Sequence, residues 1–153
     1  MYVMRTSHEG NLVYIFEQKM PKQLSDCKIS DIKYDYTYVE NQDSVSFLSY
    51  ITLPQSETPH SITFQNNEIE YKQDVELIFV QPKGKNFQYR LKIVLPFKIW
   101  KSLYENPVPF KVKYSFDRNG QAVDYIFGYK GKKWESNRQK ILGIINIIEL
   151  NKK

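Results

Sequence analysis

Residues 110–129 read FKVKYSFDRNGQAVDYIFGY, and their two alternating runs flank Asn119-Gly120. Asn-Gly suits a type I′ turn, because both central residues of that turn take positive φ. A two-residue loop fixes the register and places Phe116 opposite Val123 on one face. The same face receives three further pairs, Tyr114 with Tyr125, Val112 with Phe127, and Phe110 with Tyr129. These residues therefore predict an amphipathic β-hairpin.

Two further hairpins are predicted earlier in the chain. The first turns at Pro82-Lys83-Gly84, interpreted as a three-residue loop with glycine in the left-handed position. That loop places Gln81 opposite Lys85, and the pairs that follow are Phe79 with Phe87, Leu77 with Tyr89, Val75 with Leu91, and Glu76 with Arg90. The second runs through residues 29–40, turns at Asn41-Gln42 and returns through Val45, Phe47 and Ile51.

The remaining segments predict two short strands and two helices. Strands are expected at residues 12–17 and 62–65, and Pro54 and Pro59 mark the loop before the latter. Pro96 can open a short helix that ends before Pro107. A C-terminal helix is expected at about residues 134–150, with a capping box at residues 136–139 and one apolar face. That face holds Ile141, Ile144, Ile145 and Ile148. A doubly buried strand is the competing interpretation of this segment, since isoleucine favours strands.

These elements predict one domain, residues 1–153, that is mainly β. The leading architecture is an antiparallel β-sandwich, immunoglobulin-like or transthyretin-like, with about eight strands, a short crossover helix and a C-terminal α-helix. A closed up-and-down β-barrel with the same C-terminal helix is the alternative. The interruption at residues 54–61 and the helical crossover at Pro96 favour the sandwich.

Composition bounds the class of protein. Of 153 residues, 41% are hydrophobic, 25% charged and 15% aromatic, which excludes a disordered chain, a collagen and a coiled coil. The longest apolar stretch, residues 141–148, is far shorter than the ~20 residues of a membrane span. The lone Cys27 excludes an internal disulfide framework. The first residues lack the apolar segment of a secretory signal. We expect a cytoplasmic protein if the sequence is complete, and an envelope or extracellular one if a signal was removed.

The sequence carries no signature of catalysis. His8 and His60 each neighbour one glutamate without a third metal ligand, and Cys27 has no evident histidine partner. Two carboxylate pairs, Asp31 with Asp35 and Asp117 with Asp124, are typical of a solvated sheet face. We therefore predict no catalytic residue, no metal site and no cofactor, and expect a protein that is not an enzyme.

Two residue sets are candidates for binding. Tyrosine rings with one polar end can line a cavity for a small ligand, and the candidates are Tyr34, Tyr36, Tyr89 and Tyr125. A net charge of +5 favours anionic partners. The candidate basic patch is Lys111, Lys113, Lys130, Lys132 and Lys133. Weak nucleic-acid binding is less favoured than a solvated lysine face, since the aromatic residues lie opposite the lysines.

Residues 38–47, YVENQDSVSF, and the tail from KWESNR at 133–138 to IIELNK at 147–152 resemble small uncharacterised envelope proteins of Bacteroidetes-type bacteria. The resemblance covers about a fifth of the chain. It implies export, as a secreted protein or lipoprotein, and carries no functional residue with it. The leading hypothesis is a non-enzymatic module that binds a protein or a surface polymer. A ligand carrier and a weak nucleic-acid binder are the alternatives.

Overall fold

The computed structural model describes residues 1–8, 10–23, 29 and 31–152. These residues form ten strands and two α-helices. The strands are β1 (Tyr2–Ser7), β2 (Gly10–Met20), β3 (Ile32–Val39), β4 (Ser44–Leu53), β5 (Thr58–Gln65), β6 (Glu70–Asp74), β7 (Glu76–Lys83), β8 (Asn86–Pro96), β9 (Lys111–Arg118) and β10 (Gln121–Phe127). The helices are α1 (Phe97–Glu105) and α2 (Gly131–Leu150), and a 3₁₀ turn spans Glu40–Gln42.

The strands form two antiparallel sheets that pack as a β-sandwich. One sheet has six strands in the order β1-β2-β3-β4-β8-β7, and the other has four in the order β10-β9-β5-β6. Aromatic rings join them: the Phe47 and Phe64 centroids lie 5.0 Å apart, and those of Tyr89 and Phe116 lie 5.4 Å apart. The predicted sandwich is confirmed, and the closed barrel is wrong. The strands that the sequence missed are β1, in which half of the six residues are polar, and β6, which is mostly polar.

The hairpin of β9 and β10 has the predicted register. Arg118 pairs with Gln121, Phe116 with Val123 and Tyr114 with Tyr125. Asn119 and Gly120 take φ of 52° and 85°, as the type I′ turn requires. The hairpin of β3 and β4 is confirmed as well, although its connection is the longer segment Glu40–Asp43.

The predicted register of the β7–β8 hairpin is wrong. Its loop is the two-residue Gly84-Lys85, with Lys83 opposite Asn86, so Pro82 belongs to β7. Gly84 takes φ of 62°, which suits the first central position of a type II′ turn. A register shift between Leu77 and Phe79 then changes the remaining pairs. Those pairs are Phe79 with Arg90, Leu77 with Leu91, and Glu76 with Lys92.

Both helices are confirmed, and the strand alternative for the C-terminal segment is wrong. Helix α2 begins at Gly131, so Ser136 lies inside it and the predicted capping box is wrong. The earlier start brings the Trp134 ring over Tyr104, 6.0 Å between centroids, and lets its indole N–H donate to the Pro107 carbonyl. Pro59 is likewise part of β5, where it pairs with Phe116 beyond the end of β6.

Helix α2 lies along β2 and completes the core. The Asn137 side chain donates to Gln18 near one end of β2, and the Asn11 side chain donates to the Asn151 carbonyl near the other. The four predicted isoleucines, Ile141, Ile144, Ile145 and Ile148, are all buried in the core that the sheets share. Among the described residues, neither helix combines the length and apolarity that a bilayer span requires.

Candidate functional site

An apolar groove opens on the outer face of the six-stranded sheet. It has a volume of about 390 Å³ and crosses β1, β2 and β3. Its lining, here called the Tyr14 groove, is Val3, Arg5, Leu12, Tyr14, Phe16 and Thr37. The Tyr14 and Phe16 side chains are 40% and 42% exposed, and their ring centroids lie 5.5 Å apart. Two neighbouring aromatic rings are thus presented to solvent on a rigid sheet.

A bulge in β2 shapes this groove. The pairing of β2 with β3 shifts register between Ile15 and Gln18. Ile15 is buried, whereas Phe16 and Glu17 that follow it are both exposed. Bulges re-aim side chains in this way, because two residues of the bulged strand oppose one of its partner. The aromatic pair therefore stands at the outer face next to an exposed carboxylate.

A buried charge lies beside the groove on β3. The Asp35 side chain is only 4% exposed, and one carboxylate oxygen lies 3.7 Å from the Arg90 guanidinium. Its other oxygen, Oδ1, has no hydrogen-bond partner among the described residues. Burial raises the pKa of the Asp35 carboxyl, and the Arg90 charge counteracts part of that rise. The interpretation of Asp35 as an ordinary solvated carboxylate is therefore wrong, because its side chain is buried beside Arg90.

Aromatic contacts connect Asp35 to the rest of this face. The Arg90 guanidinium lies 4.4 Å from the centroid of the Tyr50 ring, and Tyr50 lies 6.1 Å from Phe79. Partial burial and the Asp35 charge both raise the pKa of Tyr14. Tyr14 thus links the groove to the charged cluster, and the outer face combines aromatic, cationic and anionic groups.

The structure places the four predicted ligand tyrosines in two separate networks. Tyr34 and Tyr36 bond to other tyrosines, since their hydroxyl oxygens lie 2.7 Å from those of Tyr129 and Tyr104. The Tyr89 hydroxyl contacts the backbone N–H and carbonyl of Glu57, both at 2.7 Å. The Tyr125 hydroxyl donates to the Glu57 carboxylate at 2.8 Å. All four side chains are at most 4% exposed, so the structure brings them to filled parts of the core.

Sequence reasoning missed the role of Glu57. It is 6% exposed, and its carboxylate receives hydrogen bonds from Tyr125 and from the Arg118 guanidinium at 3.0 Å. Burial and the Glu57 contacts raise the pKa of Tyr125 to about 12. Three segments distant in the sequence form this cluster, and no local pattern marks it. Its carboxylate is paired on the protein, which is typical of a structural network.

The five predicted lysines do not form one stripe. Lys111 lines a cavity of about 480 Å³ together with Glu68 and Glu70. Lys132 and Lys133 line another, of about 360 Å³, between the end of β2 and the start of α2. Lys113 is half-buried on β9, opposite Ile126, and Lys130 is exposed just before α2. Lys111 and the pair Lys132 and Lys133 therefore line different cavities.

Among residues 1–8, 10–23, 29 and 31–152, no group of three His, Cys, Asp or Glu side chains could hold a metal ion. His8 and His60 are both exposed. The predictions made for Cys27 lie outside the described residues. Asp31 is exposed before β3, and Asp124 accepts a hydrogen bond from Ser115 at 2.9 Å.

No protein-family model, curated protein or solved structure matches this chain. The resemblance to Bacteroidetes-type envelope proteins stays a prediction, as does the choice between immunoglobulin-like and transthyretin-like sandwiches. Function is therefore argued from the side chains that the fold brings together.

Proposed function

We propose that the protein is a non-enzymatic binding module that acts on a protein or surface polymer through the outer face of its six-stranded sheet. The observation that carries this proposal is the Tyr14 groove, with its exposed aromatic pair. Tyrosine and phenylalanine provide a large contact area with few rotatable bonds, so that little side-chain entropy is lost on binding. Aromatic residues are accordingly enriched where proteins bind partners.

The polar residues around the groove favour specific binding over nonspecific hydrophobic association. Arg5 and Thr37 lie in its lining, and Asp35 is held next to it with one carboxylate oxygen unpaired. A few placed polar groups on an apolar surface fix the orientation of a bound partner. A partner that covers these polar groups without bonding to them is penalised, because a buried polar group without a hydrogen bond costs free energy.

The test compares two variants in the same binding assay. Y14S/F16S removes both rings, and V80S removes an equally exposed apolar side chain from β7, where Val80 is 44% exposed. Binding is measured against immobilised peptidoglycan and polysaccharides, and by cross-linking in cells that naturally make the protein. We expect Y14S/F16S to lose about tenfold or more in affinity and V80S to bind like the wild type.

Two outcomes contradict this proposal. One is equal binding by both variants in every assay, with circular dichroism showing that both are folded. The other is turnover of a substrate in a hydrolase panel, with the activity lost on replacement of a single polar residue.

The proposed location is the bacterial envelope. It rests only on the resemblance of residues 38–47 and of the tail to envelope proteins. Fractionation of native cells, followed by immunoblotting, is expected to place the protein in the envelope or periplasmic fraction. Recovery in the cytoplasmic fraction alone would refute this location and leave the binding function open.

A further inference from the structure

A second cavity, distinct from the Tyr14 groove, is lined by four lysines. It has a volume of about 360 Å³ and lies between the end of β2 and the first half of α2. The four are Lys19, Lys132, Lys133 and Lys140. We call it the lysine pocket. It shares no lining residue with the Tyr14 groove, so the inference below does not depend on the function proposed above.

The pocket concentrates positive charge without local compensation. No acidic side chain lines it, and no ion pair among the described residues uses any of the four lysines. Like charges repel at short range, and this repulsion is stronger beside the protein than in bulk water. An anion placed between the four ammonium groups would relieve it.

The backbone of α2 adds to this imbalance. Lys132 and Lys133 occupy the first turn of the helix, which contains no acidic residue. The positive end of the helix dipole lies there, so lysines are unfavourable in this turn and an anion is favourable. The arrangement lowers the stability of the free protein and raises its affinity for an anion at the same place.

Two residues that line the pocket, Gln18 and Asn137, carry buried amide atoms without a hydrogen-bond partner in the part of the chain that the structure describes. The Asn137 side chain is 8% exposed, and its Nδ2 donates to Gln18 Oε1 at 2.5 Å. The remaining amide atoms, Gln18 Nε2 and Asn137 Oδ1, have no hydrogen-bond partner among the described residues. Buried polar atoms are nearly always paired, so these two mark an incomplete network. Nε2 is a donor and suits a phosphoryl oxygen, whereas Oδ1 is an acceptor and suits a hydroxyl group.

We propose that the lysine pocket binds a phosphate ester of a sugar or polyol. The lysines hold the phosphoryl group. On binding, the two amides turn toward the ligand, so that Gln18 Nε2 donates to a phosphoryl oxygen and Asn137 Oδ1 accepts from a ligand hydroxyl. The cavity falls within the size range of small-molecule sites. The same chemistry occurs in a free sugar phosphate and in a phosphate-bearing surface polymer, so the experiment below uses a probe of each kind.

The test is isothermal titration calorimetry of the full chain at low and moderate salt. The probes are glucose 1-phosphate, inorganic phosphate, glucose, a glycerol-phosphate polymer and a short single-stranded DNA. The variant K132Q/K140Q removes two charges from the pocket. The matched control K72Q/K85Q removes two charges from β6 and the β7–β8 turn, where both lysines are exposed.

We expect saturable binding of glucose 1-phosphate that weakens with salt, and no binding of glucose. K132Q/K140Q is expected to weaken it about tenfold or more, because two of the four ammonium groups that attract the phosphoryl charge are lost. K72Q/K85Q is expected to bind like the wild type. N137A is expected to weaken the binding of glucose 1-phosphate more than the binding of inorganic phosphate. Tighter binding of the polymer than of glucose 1-phosphate identifies the polymer as the source, and the reverse order identifies the free ester.

Three results would overturn the proposal. The first is no saturable binding of any phosphate ester at millimolar concentration. The second is an equal loss in the pocket variant and the control, which indicates unspecific attraction to net charge. The third is binding of the DNA alone, lost on replacement of Lys111 and Lys113, which places the anion site on β9.

Discussion

Tyrosine hydroxyls at the centre of the molecule bond to one another instead of to water. Tyr34 bonds to Tyr129 and Tyr36 to Tyr104, while Tyr114 donates to the Ser49 hydroxyl at 2.6 Å. Burial raises the pKa of each of Tyr34, Tyr36, Tyr104 and Tyr114 above the ordinary value near 10. These phenols therefore stay protonated in the folded protein at a pH where they ionise in the unfolded chain.

We predict a loss of stability in alkali that begins near pH 10. Above that pH the unfolded chain binds fewer protons than the folded protein, so the free energy of unfolding falls as the pH rises. The fall continues until the folded-state pKa values are passed, and burial together with Glu57 raises the pKa of Tyr125 to about 12. Urea unfolding from neutral pH to about pH 11 measures it. Y36F/Y104F removes two of these groups and is expected to flatten the slope; an unchanged slope would contradict this cause.

At Asp35, by contrast, we predict that removing an ionisable group stabilises the protein at neutral pH. Because burial raises its pKa, the charged carboxylate is less stable in the folded protein than in the unfolded chain. Asp35→Asn is therefore expected to raise the free energy of unfolding at neutral pH. The gain should vanish as the pH falls below about 4, where the carboxyl is protonated in both states. Chemical unfolding of both proteins at the two pH values checks this, and a D35N variant less stable at neutral pH would show that the Arg90 ion pair dominates.

For single residues, the sequence predicts which apolar side chains point into the core. It does not predict which polar side chains are buried. Alternation in residues 12–17 sends Val13 and Ile15 inward and Tyr14 and Phe16 outward, so that signal for the aromatic pair was present. The burial of Asp35 depends on side chains from β4 and β8, and that of Glu57 on Arg118 and Tyr125. Contacts between segments so distant leave no local pattern.

Turn chemistry explains why one hairpin register was predictable and another was not. Asn119-Gly120 has few alternatives, since both residues must take positive φ and only a two-residue loop provides this. Pro82-Lys83-Gly84 allows proline either in the loop or at the end of an edge strand, where its missing N–H is not needed. β7 is the edge strand of the six-stranded sheet, so proline is tolerated there. Edge position is a property of the assembled sheet.

Two glycines allow a matched test of the elements. Gly143 lies in α2, where an added Cβ meets nothing within 4 Å, so Gly143→Ala is expected to stabilise the protein by about 0.5–1 kcal/mol. Gly120 takes φ of 85°, and an added Cβ there also meets open space. Gly120→Ala is nevertheless expected to cost about 1–2 kcal/mol through backbone strain alone. Thermal or urea unfolding compares them, and stabilisation by both would contradict the assigned turn.

The whole molecule unfolds as one unit if its helices and sheets share a core. Ile145 is buried in that core, whereas Leu150 on the same helix is 76% exposed. Ile145→Ala is expected to lower the free energy of unfolding by about 2–4 kcal/mol. Leu150→Ala is expected to change it by less than about 0.5 kcal/mol. The tryptophan fluorescence of Trp100 and Trp134 and the circular dichroism of the sheets should report the same transition. Two separate transitions would show that α2 and the sandwich unfold independently.

Fold class was predictable because three hairpins and an interrupted alternation allow few architectures. The six-plus-four division of the strands was not, since β1 and β6 have no clear apolar alternation and only pairing with β2 and β5 reveals them. The lysine pocket needed α2 in place, because Lys19 lies far along the chain from the other three lysines. Long-range packing decides both the strand division and the pocket.

The position of α2 also bears on how the chain folds during synthesis. Asn11 and Gln18 on β2 bond to Asn151 and Asn137, at the end and in the first half of α2, which is made after all ten strands. While the ribosome still holds those residues, the inner side of β2 has no cover, and Val13, Ile15 and Met20 are exposed to other nascent chains. We expect the sandwich to close late and to depend on chaperones that shield apolar surface until the C-terminal isoleucines emerge.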